Sequence, residues 1–502
     1  MRRINPGPII CLFFIILVSI FIIIQFKIAA GPFWLSQNSD PDYQYLLNSL
    51  NIAQGKGVGH TDHPGTPVQI SGAILLKLSA PTAPVISLQE NVLRYPEKYL
   101  NYFSNVLIVI ILILLAVLFY LTWNTSSSLI VSGIFISLLF FSPALSRYLI
   151  RFSPEPFLVI CSLLIQIAIV RTFTKNKIEK KEAVIFSILC GLGIAVKITF
   201  LPLVLLPIFI LNNFKKRLFF LSGIIPSFLL FTFPVWNQYR RIARWFLNML
   251  THTGKYGYGE KGIISGDYLS NLASLFSAEP VLLPIFLTIA AYLLYSLYTK
   301  NFRSIHFRAV AGVFCAVSLQ VLMTAKHPGA HYLIPSLALV PFAFGTMILD
   351  LSDKSGKNIM QISGAAVWIL ILALSFIKLQ GSINKLENIR NSSFQITETA
   401  SKQNLPVIRY YGASSVEWAL QFANEYALSL YSHKLREIYG DQVFYDHWMK
   451  VFYRFGRTDP NSFYPQQSVL QGVELGNDGT RPEFPVEILQ VSGKEALYRL
   501  VR

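Results

Sequence analysis

The chain has 502 residues, of which 53% are hydrophobic and only 14% are charged, whereas a typical soluble domain has about 25% charged residues. Several apolar runs reach the ~20 residues that cross a bilayer, so the composition excludes an ordinary soluble enzyme and predicts a polytopic α-helical membrane protein. The net charge of +17 does not require a nucleic-acid partner, because much of it lies in short loops, where the positive-inside rule places Lys and Arg.

The apolar runs predict about eleven transmembrane helices. They cover approximately residues 8–30, 101–123, 129–146, 154–172, 183–196, 198–212, 218–236, 281–299, 308–325, 331–349 and 360–379. Basic residues precede the first run and recur in the loops 175–181, 215–217 and 300–308, which the positive-inside rule assigns to the cytoplasm together with the N-terminus. We therefore expect a plasma (inner) membrane protein with a retained N-terminal anchor, large outer loops at 31–100 and 237–280, and residues 381–502 outside the membrane.

The first outer loop contains an acidic motif before a predicted helix, in the sequence SDPDYQYLLNSLNIAQGKG. Ser, Asp and Pro are typical of a helix start, and the apolar residues that follow recur at helical spacing until the glycines. The motif predicts a short amphipathic helix on the membrane surface, with Asp40 and Asp42 at its head. Helix capping is the simplest role for both carboxylates. Their position just outside the bilayer favours a catalytic role.

Basic residues at the ends of the spans form a second candidate set, because charge is costly there. These residues are Arg147, Arg151, Lys197, Lys326, His327 and His331. Each has a structural alternative: Lys197 can extend to the interface, the Arg residues can pair with Glu155 of SPEP, and the AKHPGAHY cluster can anchor a helix end. The functional interpretation is a set of cations that binds a lipid phosphate.

Two outer segments carry candidate substrate-binding residues, and Glu155 of SPEP is a further candidate. The loop HTDHPGTP holds His60, Asp62 and His63, whose spacing matches no closed zinc site, so we expect a rigid turn that lines a pocket. Tyr256 and Tyr258 lie among glycines in HTGKYGYGEKG and are candidates for an aromatic flap over a sugar; membrane-interface anchoring is the alternative. Residues 381–502 lack a long apolar run, and their mixture of predicted strands and helices indicates a small α/β domain.

Together these features resemble the GT-C superfamily of polytopic glycosyltransferases, in particular the aminoarabinose transferase and protein mannosyltransferase group. The matching features are the acidic motif after the first span, HTDHPGTPVQ, SPEP opening a span, GLGIAVK and HYLIPSLALVPFA, all within residues 1–380. The resemblance implies a sugar transfer from a polyprenyl-phosphate donor, with Asp40 as catalytic acid/base residue and Asp42 second. It does not extend to residues 381–502.

The resulting hypothesis is an inverting glycosyltransferase that acts on the extracytoplasmic side. A carboxylate takes the proton of the acceptor hydroxyl, while cations stabilise the departing lipid phosphate. The expected partners are the polyprenyl-phosphate sugar, a glycan, lipid or protein acceptor, and membrane lipid. No cofactor is expected, with a divalent metal at Asp40 and Asp42 as the alternative. Two other functions stay open: a flippase for a lipid-linked glycan, and a polymerase or ligase type of transferase with a diphosphate donor.

Overall fold

The computed structural model describes residues 6–79, 84–175, 178–251, 266–355, 357–446, 450–455, 468–473 and 485–500. Its first half contains α1 (Pro6–Ala30), α2 (Ser36–Ala53), α3 (Thr66–Ser79), α4 (Val85–Arg94), α5 (Pro96–Ser126), α6 (Leu129–Phe135), α7 (Leu138–Phe141), α8 (Pro143–Leu149), α9 (Pro154–Phe173), α10 (Lys180–Val196), a 3₁₀ segment (Ile198–Val204) and α11 (Leu205–Ile210). Then follow α12 (Phe214–Phe231), a 3₁₀ segment (Phe233–Gln238), α13 (Tyr239–Thr251), α14 (Tyr268–Ala278), α15 (Leu282–Tyr298), α16 (Ile305–Thr324), a 3₁₀ segment (Ala330–Leu333), α17 (Ile334–Leu337), α18 (Val340–Ser355) and α19 (Lys357–Lys402).

Long apolar helices make this a multi-pass membrane architecture. Among the described residues, six helices are long and apolar enough to cross a bilayer, and up to eight if each of two sharply bent helix pairs counts as one span. The six are Pro6–Ala30, Pro96–Ser126, Pro154–Phe173, Ile305–Thr324, Ala330–Ser352 and Ile359–Lys402. The bent pairs are α12 with the helix after it, at 89°, and α14 with α15, at 97°.

The predicted count of eleven spans is therefore not reproduced by length and composition. Three predicted spans correspond to short or broken helices: 129–146 is divided into α6, α7 and α8, α10 has 17 residues, and 198–212 is a 3₁₀ segment followed by α11. Serine and proline explain the breaks. Ser128 and Ser142 cap new helices by accepting backbone N–H groups, and Pro202 lies inside the 3₁₀ segment.

The helix α2 differs from the surface helix that its sequence predicts. Its residues from Asp42 to Asn51 are buried, including the polar residues Gln44 and Asn48. The helix is covered by α3, by α5 and by a helix of the C-terminal region, α20 (Val416–Tyr426). The side chains of Asn48 and Asn51 bond to backbone groups of the C-terminal region and of the loop after α2, and such bonds allow polar residues to be buried.

The C-terminal region is a six-stranded sheet with helices. It contains β1 (Val407–Arg409), α20, α21 (Ser432–Tyr439), β2 (Val443–Asp446), β3 (Val451–Arg454), β4 (Val469–Val473), β5 (Val486–Ser492) and β6 (Glu495–Leu500), with strand order β3-β2-β1-β4-β6-β5. Strand β1 is parallel to β2 and β4, and the other neighbours are antiparallel. The predicted domain boundary at residue 381 lies inside α19, which has 46 residues and continues through the change in composition.

Candidate active site

A cavity of about 290 Å³ lies where α2, α8, α9 and α20 meet the loop that follows α2. Its lining combines carboxylates, cations and aromatic rings from segments that are far apart in sequence. The lining residues are Asp40, Pro41, Gln44, His60, Asp62, His63, Tyr148, Arg151, Ser153, Pro154, Glu155, Lys197, His331, Tyr332 and Tyr426. Eight of the predicted site residues are therefore brought together in one space: Asp40, His60, Asp62, His63, Arg151, Glu155, Lys197 and His331.

Asp40 and Asp42 have different environments although they are two residues apart. Asp40 has an extended backbone (φ −101°, ψ 125°) just before Pro41, and its exposed side chain lines the cavity. Asp42 lies on the helix, is fully buried and is not among the described residues that line the cavity. Its carboxylate accepts hydrogen bonds from the Phe152 backbone N–H at 2.7 Å and from Arg151 Nε at 2.8 Å.

The guanidinium of Arg151 joins Asp42 to the backbone around Asp40. Besides its bonds to the carboxylate, it donates to the carbonyl oxygens of Asn38 at 2.5 Å and of Asp40 at 2.9 Å. Burial disfavours the charge of Arg151, but the neighbouring Asp42 carboxylate outweighs this effect and raises the pKa of the guanidinium. The predicted phosphate ligand Arg151 is therefore an ionised residue that holds the peptide of Asp40 in place.

Lys197 is a second buried cation of the cavity. Its Nζ donates a hydrogen bond of 2.7 Å to Glu155 Oε1 and lies 4.8 Å from the centre of the Tyr332 ring. The backbone of Lys197 also forms an isolated bridge with that of Pro64. Lys197 lies between α10 and the following 3₁₀ segment and has an extended backbone. This interruption of the helix places Lys197 in the site. The predicted partner of Glu155 was an arginine, but the observed ion pair is with Lys197.

The histidines of the HTDHPGTP loop are packed against aromatic rings. The His60 ring makes edge-to-face contacts with Tyr45 at 5.1 Å and with Tyr426 at 5.5 Å between ring centres. The His63 ring contacts Trp245 of α13 at 4.7 Å. Burial, followed by the nearby charge of Lys197, holds the pKa of His63 well below its ordinary value, so His63 is neutral at neutral pH.

A third aromatic group surrounds His331. The centre of its ring lies 3.9 Å from the ring centre of Tyr332 and 5.5 Å from that of Tyr148. The 3₁₀ segment Ala330–Leu333 carries both His331 and Tyr332. The cation of Lys197, the imidazole of His331 and the aromatic faces of Tyr148 and Tyr332 thus share one part of the lining.

Several predicted residues lie elsewhere. Arg147, Lys326 and His327 are not among the described residues that line the cavity; the Arg147 guanidinium lies over the Tyr148 ring at 5.7 Å. Tyr256 and Tyr258 fall outside the described residues. The sequence interpretation missed Gln44, Tyr148, Ser153, Tyr332 and Tyr426. Tyr332 follows His331 directly and could have been included, whereas nothing near Tyr426 in the sequence connects it with a site.

A divalent metal at Asp40 and Asp42 is the alternative that the sequence leaves open. Within the described part of the chain, no three His, Cys, Asp or Glu side chains are grouped so that they could hold a metal ion. The two oxygens of Asp42 accept bonds from Arg151 and Phe152. Both carboxylate oxygens of Asp42 are thus occupied by hydrogen bonds from the chain.

The sequence matches no protein-family model and no curated protein. Among solved structures, ArnT from Cupriavidus metallidurans bound to undecaprenyl phosphate aligns with 99% of this chain and 99% of its own, at 11% identity and a TM-score of 0.44. Its apo state covers 97% of both chains, at 10% and 0.47. The Archaeoglobus fulgidus oligosaccharyltransferase tethered with an acceptor peptide covers 88% of this chain and 69% of its own, at 10% and 0.43.

Proposed function

We propose that the protein is a membrane glycosyltransferase that transfers a sugar from a polyprenyl-phosphate donor to an acceptor on the extracytoplasmic side. The observation that carries this proposal is the composition of one cavity: the carboxylate of Asp40 and the buried cation of Lys197 line the same space of about 290 Å³. Sugar transfer from a lipid phosphate needs these two groups, a base for the acceptor and a positive charge for the leaving phosphate.

Asp40 is the proposed general base. Its side chain is accessible from the cavity, while the backbone carbonyl of the same residue is held by Arg151 at 2.9 Å. A base has to be positioned within hydrogen-bond reach of the proton that it takes, and a fixed peptide supplies that position. Asp42 contributes indirectly, since its carboxylate holds Arg151.

The phosphate end of the donor is assigned to Lys197 and His331. Lys197 reaches the cavity from the end of α10 and its charge is paired with Glu155. An ammonium group in a buried site makes charge-assisted bonds to phosphate oxygens that are stronger than neutral hydrogen bonds. Tyr148 and Tyr332 flank this region and offer apolar surface to the first carbons of the lipid chain.

The proposed reaction is a single displacement. The acceptor hydroxyl loses its proton to Asp40 while its oxygen forms a bond to the anomeric carbon. The bond between that carbon and the phosphate oxygen breaks, and the lipid phosphate leaves with the electron pair beside Lys197. Attack opposite the leaving group inverts the anomeric configuration, and no covalent enzyme intermediate is needed.

The test measures release of polyprenyl phosphate from labelled polyprenyl-monophosphate sugars in proteoliposomes. Asp40→Asn should lower the single-turnover rate by roughly 10²–10⁴, the usual contribution of general-base catalysis, with little change in melting temperature. Asp441→Asn, an exposed carboxylate that pairs with Arg454, is the control. Donor added to right-side-out vesicles should be consumed, and inverted vesicles should be inactive until permeabilised.

The rival functions give different results in the same assay. If Asp62→Asn is inactive and Asp40→Asn is not, the base is Asp62, a half-buried carboxylate of the same cavity. Release of lipid diphosphate from a diphosphate donor, with no use of monophosphates, would identify a polymerase or ligase type of transferase. Movement of intact donor across the bilayer without release would identify a flippase.

A further inference from the structure

The C-terminal region contributes directly to the cavity. Tyr426 is the last residue of α20, which lies on the far side of residue 381, yet its side chain lines the same space as Asp40 and Lys197. The sequence separates this tyrosine from Asn48 of α2 by 378 positions. Contacts between the two segments hold Tyr426 at the site.

Asn48 is the residue that fixes Tyr426. Its buried amide donates to the carbonyl oxygens of Gln44 at 2.8 Å and of Tyr426 at 3.1 Å. Its amide oxygen accepts the backbone N–H groups of Gly59 at 2.9 Å and of His60 at 3.2 Å. Both donors and both acceptor positions of the amide are used, so one side chain ties the end of α20 to the loop that carries His60.

Two further contacts make this junction tight. Asn51, one turn along α2, donates to the carbonyl oxygen of Ala427 at 3.2 Å and accepts a bond from the Tyr431 hydroxyl at 2.5 Å. A Cβ atom added at Gly59 would lie only 2.3 Å from the Tyr426 carbonyl oxygen. The backbone at Tyr426 is thus in contact with α2 and its loop from more than one side, and the position of its ring is defined by the fold.

The ring of Tyr426 belongs to an aromatic row. The ring centres of Phe422 and His60 lie 5.3 Å and 5.5 Å from that of Tyr426. His60 in turn contacts the fully buried Tyr45. Edge-to-face packing of this kind holds rings in fixed orientations. The row ends at the cavity, where Gln44 and Asp40 supply polar groups beside the aromatic ones.

We propose that Tyr426 and His60 form an aromatic subsite for the pyranose ring of the donor sugar. This inference rests on the proposed function. A pyranose has apolar C–H faces and a polar edge of hydroxyl groups, and the lining matches both, with aromatic rings beside Gln44 and Asp40. The cavity of about 290 Å³ is small for a ligand pocket, so a single sugar held between Asp40 and Lys197 lies against Tyr426. The C-terminal region then takes part in choosing the sugar.

The experiment compares the binding of two lipids, undecaprenyl phosphate and an undecaprenyl-phosphate hexose, by native mass spectrometry of the full-length protein. The wild type should prefer the sugar-bearing lipid. Tyr426→Leu should weaken binding of that lipid by roughly 3- to 10-fold, the size of an aromatic contact, and leave binding of undecaprenyl phosphate unchanged. Tyr426→Phe keeps the ring and should keep the preference.

Tyr431→Phe is the matched control, because it breaks a bond of the same junction to Asn51 without removing a cavity residue. It should lower the melting temperature and keep the preference for sugar. If Tyr426→Leu is poorly folded, Tyr426→Met, whose flexible side chain can refill the space, takes its place. Equal loss for both lipids, or no loss, would overturn the subsite and leave the glycosyltransferase proposal standing. A wild type that binds neither lipid would overturn both.

Discussion

The ion pair between Asp42 and Arg151 supports the position of Asp40, and Asp42→Asn tests this. The pair is buried: the two residues are 0% and 5% exposed. An Asn at position 42 leaves the guanidinium of Arg151 charged in a site with little water. Removal of one partner of a buried ion pair costs about 3–5 kcal/mol. We expect the low end, roughly 3 kcal/mol, because Glu155 also favours the charged form of Arg151.

Asp42→Asn should lower the activity for a different physical reason than Asp40→Asn does. The carbonyl oxygens of Asn38 and Asp40 accept bonds from the same guanidinium nitrogen, so a displaced Arg151 moves the peptide that carries the base. Asp42→Asn is therefore expected to lower both the melting temperature and the turnover rate. Asp40→Asn is expected to lower the rate alone, because its side chain faces the cavity.

A double variant separates stability from positioning. Asp42→Leu combined with Arg151→Met replaces the ion pair by apolar side chains, which is often neutral for stability. This protein should regain most of the melting temperature that Asp42→Asn loses, but its rate should stay low, because no donor holds the carbonyl of Asp40. The measurement is a melting curve in detergent and a single-turnover rate for the wild type, Asp40→Asn, Asp42→Asn and the double variant. A stable Asp42→Asn with wild-type turnover would show that the pair does not position the base.

Two further predictions concern Lys197 and His63. Lys197→Met should weaken binding of undecaprenyl phosphate by roughly 10- to 100-fold, since hydrogen bonds to charged groups contribute about 1.5–3 kcal/mol. The double variant Lys197→Met/Glu155→Gln should recover the melting temperature but not the binding. Unchanged binding in Lys197→Met would show that the lysine has a structural role only. His63 has a folded-state pKa well below its ordinary value, first through burial and then through Lys197, so its contribution to stability is complete above about pH 6.5 and is lost as the pH falls from there towards the folded-state pKa. His63→Gln should remove up to about 1.4 kcal/mol per pH unit from the acid slope of stability, measured as melting temperature from about pH 7.5 to about pH 5.5; identical slopes in both proteins would contradict this.

The class of protein and the location of most helices were accessible from the sequence, because a bilayer demands long apolar runs. The same rule overlooks where these runs break. Ser128 and Ser142 each begin a new short helix inside one predicted span, and hydropathy averaged over a span does not detect a single hydroxyl that caps a backbone N–H. Composition likewise does not show where helices end: the predicted boundary at residue 381 lies inside α19, which continues as one helix through the change in composition.

Long-range contacts explain which parts of the site were missed. Tyr426 reaches the cavity through Asn48, and no local pattern links positions 378 residues apart. The contact between His63 and Trp245 likewise joins the loop after α2 to α13. In contrast, His60, Asp62 and His63 were recognisable because they are close together in the sequence, and the fold places all three in the cavity lining.

The conformation of Asp40 follows from its neighbours in the sequence, whereas the partner of Asp42 comes from a distant segment. A residue before Pro41 is kept out of the helical conformation, and Asp40 is extended as this rule requires. Asp42 is on the helix and is buried, and it is not among the described residues that line the cavity. A buried carboxylate has to find a cation, and the fold supplies it from 109 residues away, in Arg151. The same arginine then bonds to the carbonyl of Asp40. Asp42, inside the helix, thus binds the cation that also bonds to the backbone of Asp40, outside it.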